Sequence, residues 1–232
     1  MHIPVYCLSY HNPRRQESMQ RRFNKAGIHV IFYCGAEDER LNDLDDKNRR
    51  VWSCMFGHLD MIYDFCQSAS EFGVFCEDDI LIKHDIAVKI PCVAKDMREL
   101  KLDVVLLGYL ISFSFYKTNH SDFRLIAGET DTNLGDEYYE YPFDLWGTQM
   151  YMLSKSYAKQ LLNKYYGDYC RRSLLDNTMV HFSADWTITK DGRRAALARP
   201  LAIEDNSSNY EDPGQADLHR NSHTVFYTPE FI

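Results

Sequence analysis

The sequence predicts an α/β fold, a mixed, mostly parallel sheet flanked by helices, and three observations carry that expectation. Residues 3–9, 28–34, 74–76 and 103–108 are short apolar runs of the kind that form strands buried on both faces. Stretches with apolar residues at helical spacing lie between them, so strand and helix alternate from the start of the chain. At 232 residues, 45% of them hydrophobic, the chain can cover both faces of such a sheet without disulfides or structural metals.

Each element has its own signal. After the first strand, Asn12 offers an N-cap and Pro13 suits the first helical position. Met19, Phe23 and Ala26 follow at helical spacing, and Gly27 reads as the stop before the second strand. Residues 38–50 are charged and read as a surface loop. From Val51, the stripe Val51, Met55, Leu59, Ile62, Cys66 and Ala69 predicts a long helix that Gly73 ends. Residues 74–76 then run as a buried strand into Glu77-Asp78-Asp79, and residues 80–82 resume strand character. A helix is expected within 85–100, with Pro91 at its start or at a kink, ahead of the parallel-type strand at 103–108. Residues 109–145 show no sustained period and read as an inserted hairpin plus a long loop, a length that usually marks function. A strand follows over 148–153, then a helix capped by Ser154 and carrying Ala158, Leu161, Leu162 and Tyr165, and a short strand near 195–197. The last thirty residues are polar, with a turn at Pro213-Gly214. Neither a repeat nor a linker divides the chain, so a single domain over 1–232 is expected, its polar segment starting at about 205.

Composition excludes several classes. The net charge is −8, and the basic residues fall in scattered pairs such as Arg14-Arg15, Arg49-Arg50 and Arg193-Arg194. Counterion release at a phosphate backbone needs a continuous basic surface, so general affinity for nucleic acid or an anionic membrane is not expected. No run approaches the ~18 apolar residues of a membrane span, and the N-terminal apolar run stops at His11-Asn12-Pro13, unlike a signal peptide. A cytoplasmic location is the expectation. The seven cysteines are an odd number without a CxxC pair, which argues for reduced, buried thiols and neither a zinc site nor a disulfide frame. Asn119-His120-Ser121 and Asn206-Ser207-Ser208 fit the glycosylation sequon, but with no export signal expected, chance is the better reading.

The strongest chemical signal is the triplet Glu77-Asp78-Asp79. Alternation along a strand puts Glu77 and Asp79 on one face and Asp78 on the other. Carboxylates this close repel unless a cation neutralises them, and hard oxygen donors suit Mn2+ or Mg2+. A solvated acidic turn is the competing reading, but apolar residues on both flanks weigh against it.

Three pieces, in order, resemble glycosyltransferase family 25, the lipooligosaccharide and collagen galactosyltransferases. The first is Cys7-Leu8-Ser9 followed by Pro13-Arg14-Arg15 and Met19, similar to that family's opening strand and arginine-bearing first helix. The second is Ser53-Cys54-Met55-Phe56-Gly57-His58 with Phe75-Cys76-Glu77-Asp78-Asp79-Ile80 after it, similar to the helix ending in Ser-His and the acidic metal motif. The third joins residues 103–108 to Trp146-Gly147-Thr148-Gln149-Met150-Tyr151 and Ser154-Lys155, similar to the Gly-Thr-x-x-Tyr strand and Ser-Lys helix start. Together they span roughly residues 3–205. The chain departs from the pattern where Gly57 replaces Ser and where Glu204 stands for a more usual Gln.

The resemblance implies a GT-A-type, Rossmann-like sandwich that binds a sugar nucleotide beyond the carboxyl ends of its strands. It implies transfer of a sugar from a nucleoside-diphosphate donor, a UDP-sugar being the first expectation, to a glycan or glycoprotein acceptor. Leu8, Ser9 and Tyr10 would lie beside the nucleoside, and Arg14 or Arg15 would reach the diphosphate, although either arginine also reads as a solvated helix-face residue. Asp78 would face ribose or a backbone donor, and Glu77 with Asp79 the metal. His219 or His223 would complete the metal shell from the C-terminal segment, or be an exposed tail histidine. His58 is a second candidate beside the donor, or a core histidine. Asp185 would be the general base of an inverting reaction, or merely an N-cap. Trp186 and Trp146 would stack on a sugar or belong to the core. The competing functions are a degenerate domain that only binds glycans, and a nucleotidyltransferase, which should carry a Gly-rich loop after the first strand.

Overall fold

The computed structural model describes residues 2–110, 124–127, 137–207 and 212–232. Its centre is an eight-stranded sheet in the order β2-β1-β3-β8-β5-β9-β7-β6. The strands are β1 (Val5–Leu8), β2 (Val30–Tyr33), β3 (Phe72–Glu77), β5 (Val104–Leu110), β6 (Arg124–Ala127), β7 (Tyr138–Glu140), β8 (Trp146–Ser154) and β9 (Arg194–Leu197). β8 and β7 run against the other six, so the sheet is mixed with most strands pointing one way. A separate antiparallel pair, β4 (Ile80–Ile82) with β10 (Ala202–Glu204), lies alongside.

Strand alternation divides the core into two. Tyr6, Leu8, Phe75, Leu106 and Tyr151 face α2 (Asp46–Gln67) and α4 (Lys155–Tyr165), where Trp52, Met55, Leu59, Phe65 and Leu161 pack on them. Val5, Cys7, Val74, Cys76, Leu107 and Met152 face α1 (Pro13–Lys25), α3 (Ile86–Leu100) and the β4–β10 pair. Each large apolar side chain so covered contributes about 1.5–3 kcal/mol. Phe75 and Glu77 therefore share the α2 side of β3, which decides what Glu77 meets. Two shorter helices, α5 (Tyr169–Leu175) and α6 (Ala184–Thr187), follow α4, and α7 (Pro213–Phe226) comes last.

The opening strand–helix–strand forms as expected. Asn12 caps α1 by accepting from the backbone N–H of Arg15 at 3.1 Å, with Pro13 at the first position. Ser154 likewise caps α4 through the Tyr157 N–H. Pro91 falls inside α3, beyond its first turn.

Five expectations need correction. The charged stretch 38–50 is not all loop: Asp45 caps α2, which starts at Asp46, well before its apolar stripe. The helix ends at Gln67, and Gly73 lies in β3 under the ring of Phe65. β4 does not prolong β3 but joins β10 in the second sheet. The polar segment after 205 includes a capped helix, α7, with Asp212 at its N-cap and Pro213 behind it. The cysteines all carry free thiols, and Cys34 and Cys92 are exposed instead of buried. Within 109–145 the described parts are β6, β7 and the approach to β8. The Asn119–Ser121 sequon lies outside the described residues, as does Ser208 of the second. Among the described residues no helix is long and apolar enough to cross a membrane.

Candidate active site at the carboxyl edge of the sheet

β1 and β3 end side by side, and antiparallel β8 starts at the same edge, so Ser9, Glu77 and Thr148 all belong to one rim. Glu77 is the last residue of β3, and Asp78 and Asp79 occupy the bend before β4. Strand alternation therefore stops at Glu77, and the expectation that it fixes all three side chains does not hold. Contacts fix them instead. Asp78 accepts from the Ser9 hydroxyl at 2.7 Å and from Arg15 Nη1 at 3.3 Å. The same Nη1 lies 3.5 Å from Asp79 Oδ2. Each Asp78 oxygen thus has one protein donor. Arg15 turns inward to these two carboxylates, while Arg14, its neighbour, is exposed. Leu8 is buried in the core, and Tyr10 is exposed with its hydroxyl donating to Glu37 at 2.8 Å.

Glu77 points toward α2. His58 is fully buried, with Nε2 3.5 Å from Glu77 Oε1 and Nδ1 2.8 Å from the Tyr151 hydroxyl. Burial would raise the Glu77 carboxyl, but the His58 imidazole and, less, the Thr148 hydroxyl hold it below the ordinary carboxylate value. Asp79 goes the other way. Burial, then the charges of Glu77 and Glu204, push its carboxyl well above normal against the pull of Arg15. Asp78 is raised chiefly by burial, with Ser9 and Arg15 opposing.

The C-terminal segment is stitched to this bend. Glu204 in β10 pairs with Ile80, and the Asp205 N–H donates to the Asp79 carbonyl at 2.7 Å. His219 of α7 is buried and bonds through Nδ1 to the Glu204 carboxylate, a partner that orients the ring. His223 donates from Nδ1 to the Glu204 carbonyl at 2.7 Å and stacks on Tyr227. Both histidines are therefore held in a packed helix and not on an exposed tail. His219 is the one whose charge reaches Glu77. The Glu204 departure noted in the sequence thus has a physical role as the carboxylate behind His219.

Across the rim, Asp185 sits in the first turn of α6, where Ser183 is the N-cap. It accepts from the Thr148 hydroxyl at 2.7 Å and from the Thr148 N–H at 3.3 Å. Burial, then the Glu77 charge, raise its carboxyl, with Thr148 and Lys190 opposing. Trp186 is half-buried and its ring lies 5.9 Å from that of Phe143, while Trp146 is half-buried at the start of β8. Tyr138 and Tyr141 are core residues, their hydroxyls spent on Asp96 and the Thr189 carbonyl.

Sequence reasoning gave no site role to Cys54, Thr148, Tyr151 or Lys190, although the first three lie within the resembling segments. Cys54 and His58, four apart on a helix already expected, were a legible signal. Thr148 and Tyr151 become visible only when β8 is known to run beside β3.

No protein-family profile and no curated protein sequence matches this chain. Among solved structures, one similar fold is a glycosyltransferase involved in the glycosylation of the major capsid of PBCV-1 (TM-score 0.43, 10% identity, covering 96% of this chain and 100% of that one). Another is HddC from Yersinia pseudotuberculosis complexed with GMP-PN (TM-score 0.43, 13% identity, covering 95% of this chain and 99% of that one). These likenesses are too distant to bear on chemistry, which rests on the chain's own residues.

Proposed function

We propose that this chain is a metal-dependent glycosyltransferase domain that moves a sugar from a nucleoside diphosphate, first of all a UDP-sugar, to a glycan or glycoprotein acceptor. The observation that carries the reading is the bend at Glu77-Asp78-Asp79, where three carboxyl groups and the Arg15 guanidinium meet at the carboxyl edge of the sheet. In open α/β sheets that edge is where nucleotides bind. The resemblance of the segments around Ser9, His58, Glu77 and Thr148 to glycosyltransferase family 25 supports the same conclusion.

The donor chemistry of the bend suits a hard divalent cation, although among the described residues the ligand atoms that already converge belong to Cys54, His58 and Glu77. Asp79 is forced toward protonation by burial and by Glu77 and Glu204, a repulsion that Mn2+ or Mg2+ would remove. Glu77, Asp79 and His219 would hold it, with His223 the weaker candidate because its ring stacks on Tyr227. When bound, such an ion neutralises the charge that grows on the departing diphosphate. Arg15 adds a fixed cation on the same side, and Asp78 with Ser9 keeps that arginine in place. Asp185 is assigned as general base: its raised carboxyl lies nearer neutrality than a free aspartate, and Thr148 fixes its orientation. The half-buried Trp186 against exposed Phe143 offers an aromatic face for an acceptor sugar, and Trp146 a second.

Calorimetry of UDP and UDP-sugars with Mn2+ and with EDTA tests the reading. Donor affinity should collapse in EDTA and return with Mn2+, and a donor at a hundred times its Kd should add ~2.7 kcal/mol of stability. Equal affinity in both conditions would remove the metal from the mechanism. Binding without turnover on any acceptor would make the domain a glycan- or nucleotide-binding module.

A further inference from the structure

We infer that Cys54, His58 and Glu77 form a site for a thiophilic divalent cation of the zinc class, set behind the acidic bend. It shares Glu77 with the donor site proposed above but differs from it in chemistry through its sulfur and imidazole ligands, and its occupancy can be read without donor binding. The observation is a juxtaposition that two elements enforce. One turn of α2 puts Cys54 and His58 on the same face. Alternation along β3 turns Glu77 toward that face. One ligand atom from each of the three lies within 4.8 Å of the others. Ligand atoms around tetrahedral zinc stand about 3.5 Å apart, so the three need to draw in by only about an ångström.

The second observation is His58 itself. The ring is wholly buried, and its Nε2 has no hydrogen-bond partner although it points to within 3.5 Å of Glu77. Its other nitrogen is fixed by the Tyr151 hydroxyl at 2.8 Å, the arrangement that orients a metal-binding histidine. Leaving a buried ring nitrogen unbonded is costly, and a metal removes that cost. The ligand set is one sulfur, one nitrogen and one carboxylate oxygen. Sulfur and imidazole select zinc-like ions over Mn2+ or Mg2+, which prefer all-oxygen shells.

Binding is an exchange of a proton for the ion. The Cys54 thiol releases one proton to solvent and binds as thiolate. His58 binds through Nε2, its single hydrogen resting on Nδ1 and donated to the Tyr151 oxygen. Glu77 binds as carboxylate, so two anionic ligands balance the two charges of the cation. Three protein ligands leave the fourth tetrahedral position for water.

Titration of the purified protein with Co2+, a spectroscopic substitute for zinc, tests the site. A sulfur-to-cobalt charge-transfer band should grow to one ion per chain, vanish in Cys54→Ser and be displaced by Zn2+. It should persist in Cys34→Ser, which removes an exposed thiol near His11, and in Asp79→Asn, which disables the donor-metal proposal. Absence of the band, or a band that follows Cys34, overturns the inference. The wild-type protein gives a second measurement that needs no variant to fold. Zn2+ should slow alkylation of Cys54 by at least about tenfold, read by peptide mass spectrometry, with Cys34 unaffected. Equal rates with and without Zn2+ overturn it as well. Loss of Mn2+-dependent donor binding alone would remove the metal from the transferase mechanism and leave this site standing.

Discussion

On the β1–β3 side of the rim, Asp78 and Asp79 share a single guanidinium, that of Arg15, and Asp79 also feels Glu77 and Glu204. On the β8–α6 side, Asp185 takes two hydrogen bonds from one residue, Thr148, and has the Lys190 charge beside it. The first cluster gathers several carboxylates around one guanidinium, whereas the second sets one carboxylate beside one ammonium and is walled by the rings of Trp186, Phe143 and Tyr141. Excess charge suits a site that recruits an ion and an anionic donor. Balance suits a single group that must trade one proton with a neutral hydroxyl. The two halves of one rim are thereby given different work.

The sharpest way to break that division is Asp185→Asn. The variant should lose about 10³-fold in kcat while binding the donor with unchanged affinity, since general-base contributions run to about 10²–10⁴. Donor affinity that falls with kcat would place Asp185 in the donor half. Asp79→Asn should cost at least ~100-fold in turnover, about 2.7 kcal/mol of barrier, and shift the Mn2+ requirement upward. Its metal-free melting temperature at neutral pH should not fall, because the substitution relieves repulsion around a carboxyl held above its normal range. Normal metal dependence in this variant would show that Glu77 and the histidines suffice.

His219→Ala and His223→Ala sharpen the donor half further. The first should weaken Mn2+ activation about tenfold and the second by much less, because only His219 is buried and directed by Glu204. Point variants are needed here, since deleting the segment would take away the partner of buried Glu204 and damage packing together with chemistry.

The smallest effect concerns Lys190. Burial holds its ammonium down to about 8, against the help of Asp185, while Nζ donates to the Leu145 carbonyl. A lysine depressed in the folded state loses its charge more readily there than in the unfolded chain. Its contribution to stability is therefore lowest below about 8 and recovers as pH rises toward the unfolded value of about 10.4. Lys190→Met should flatten stability against pH between 8 and 10 in chemical denaturation. An unchanged slope would mean that another group titrates in that window.

Much of this was legible because apolar period and cap chemistry agree locally. Asn12 with Pro13, Ser154, the Val51–Cys66 stripe and the run into Glu77 each announced an element that formed. α7 was not legible for a physical reason: its fully buried residues are His219 and Ser222, it is anchored by Glu204, and its apolar contribution to the core is Phe226 in the last turn. The start of α2 failed in the same way, since its first turn is held by the Asp45 cap and charged residues before any apolar position appears. The site was legible as a list of acids but not as a geometry. Only the register between β3 and β8 brings Tyr151 to His58 and Thr148 to Asp185.

Gly57 also explains its own departure from the resembling pattern. A Cβ there would stand 2.5 Å from Leu8 Cδ1 and 3.2 Å from Gly35 Cα, so a serine would require the Leu8 side chain to shift and the Gly35 backbone to give slightly.

The strand that follows the acids has a consequence for how the chain becomes functional. β4 pairs with β10 on one side, and on the other Ile82 exchanges backbone hydrogen bonds with Ile232 while Lys83 reaches Glu230, 147 residues away in sequence. Closing loops of that span is slow, and it comes after local helices and the β1–β3 pairing have formed. On that ground the bend that carries Asp78 and Asp79 is expected among the later parts to gain its shape. During synthesis, a ribosome would release the other strands of the rim long before the acids were locked, so an unfinished chain carries its carboxylates without the frame that lets them act together.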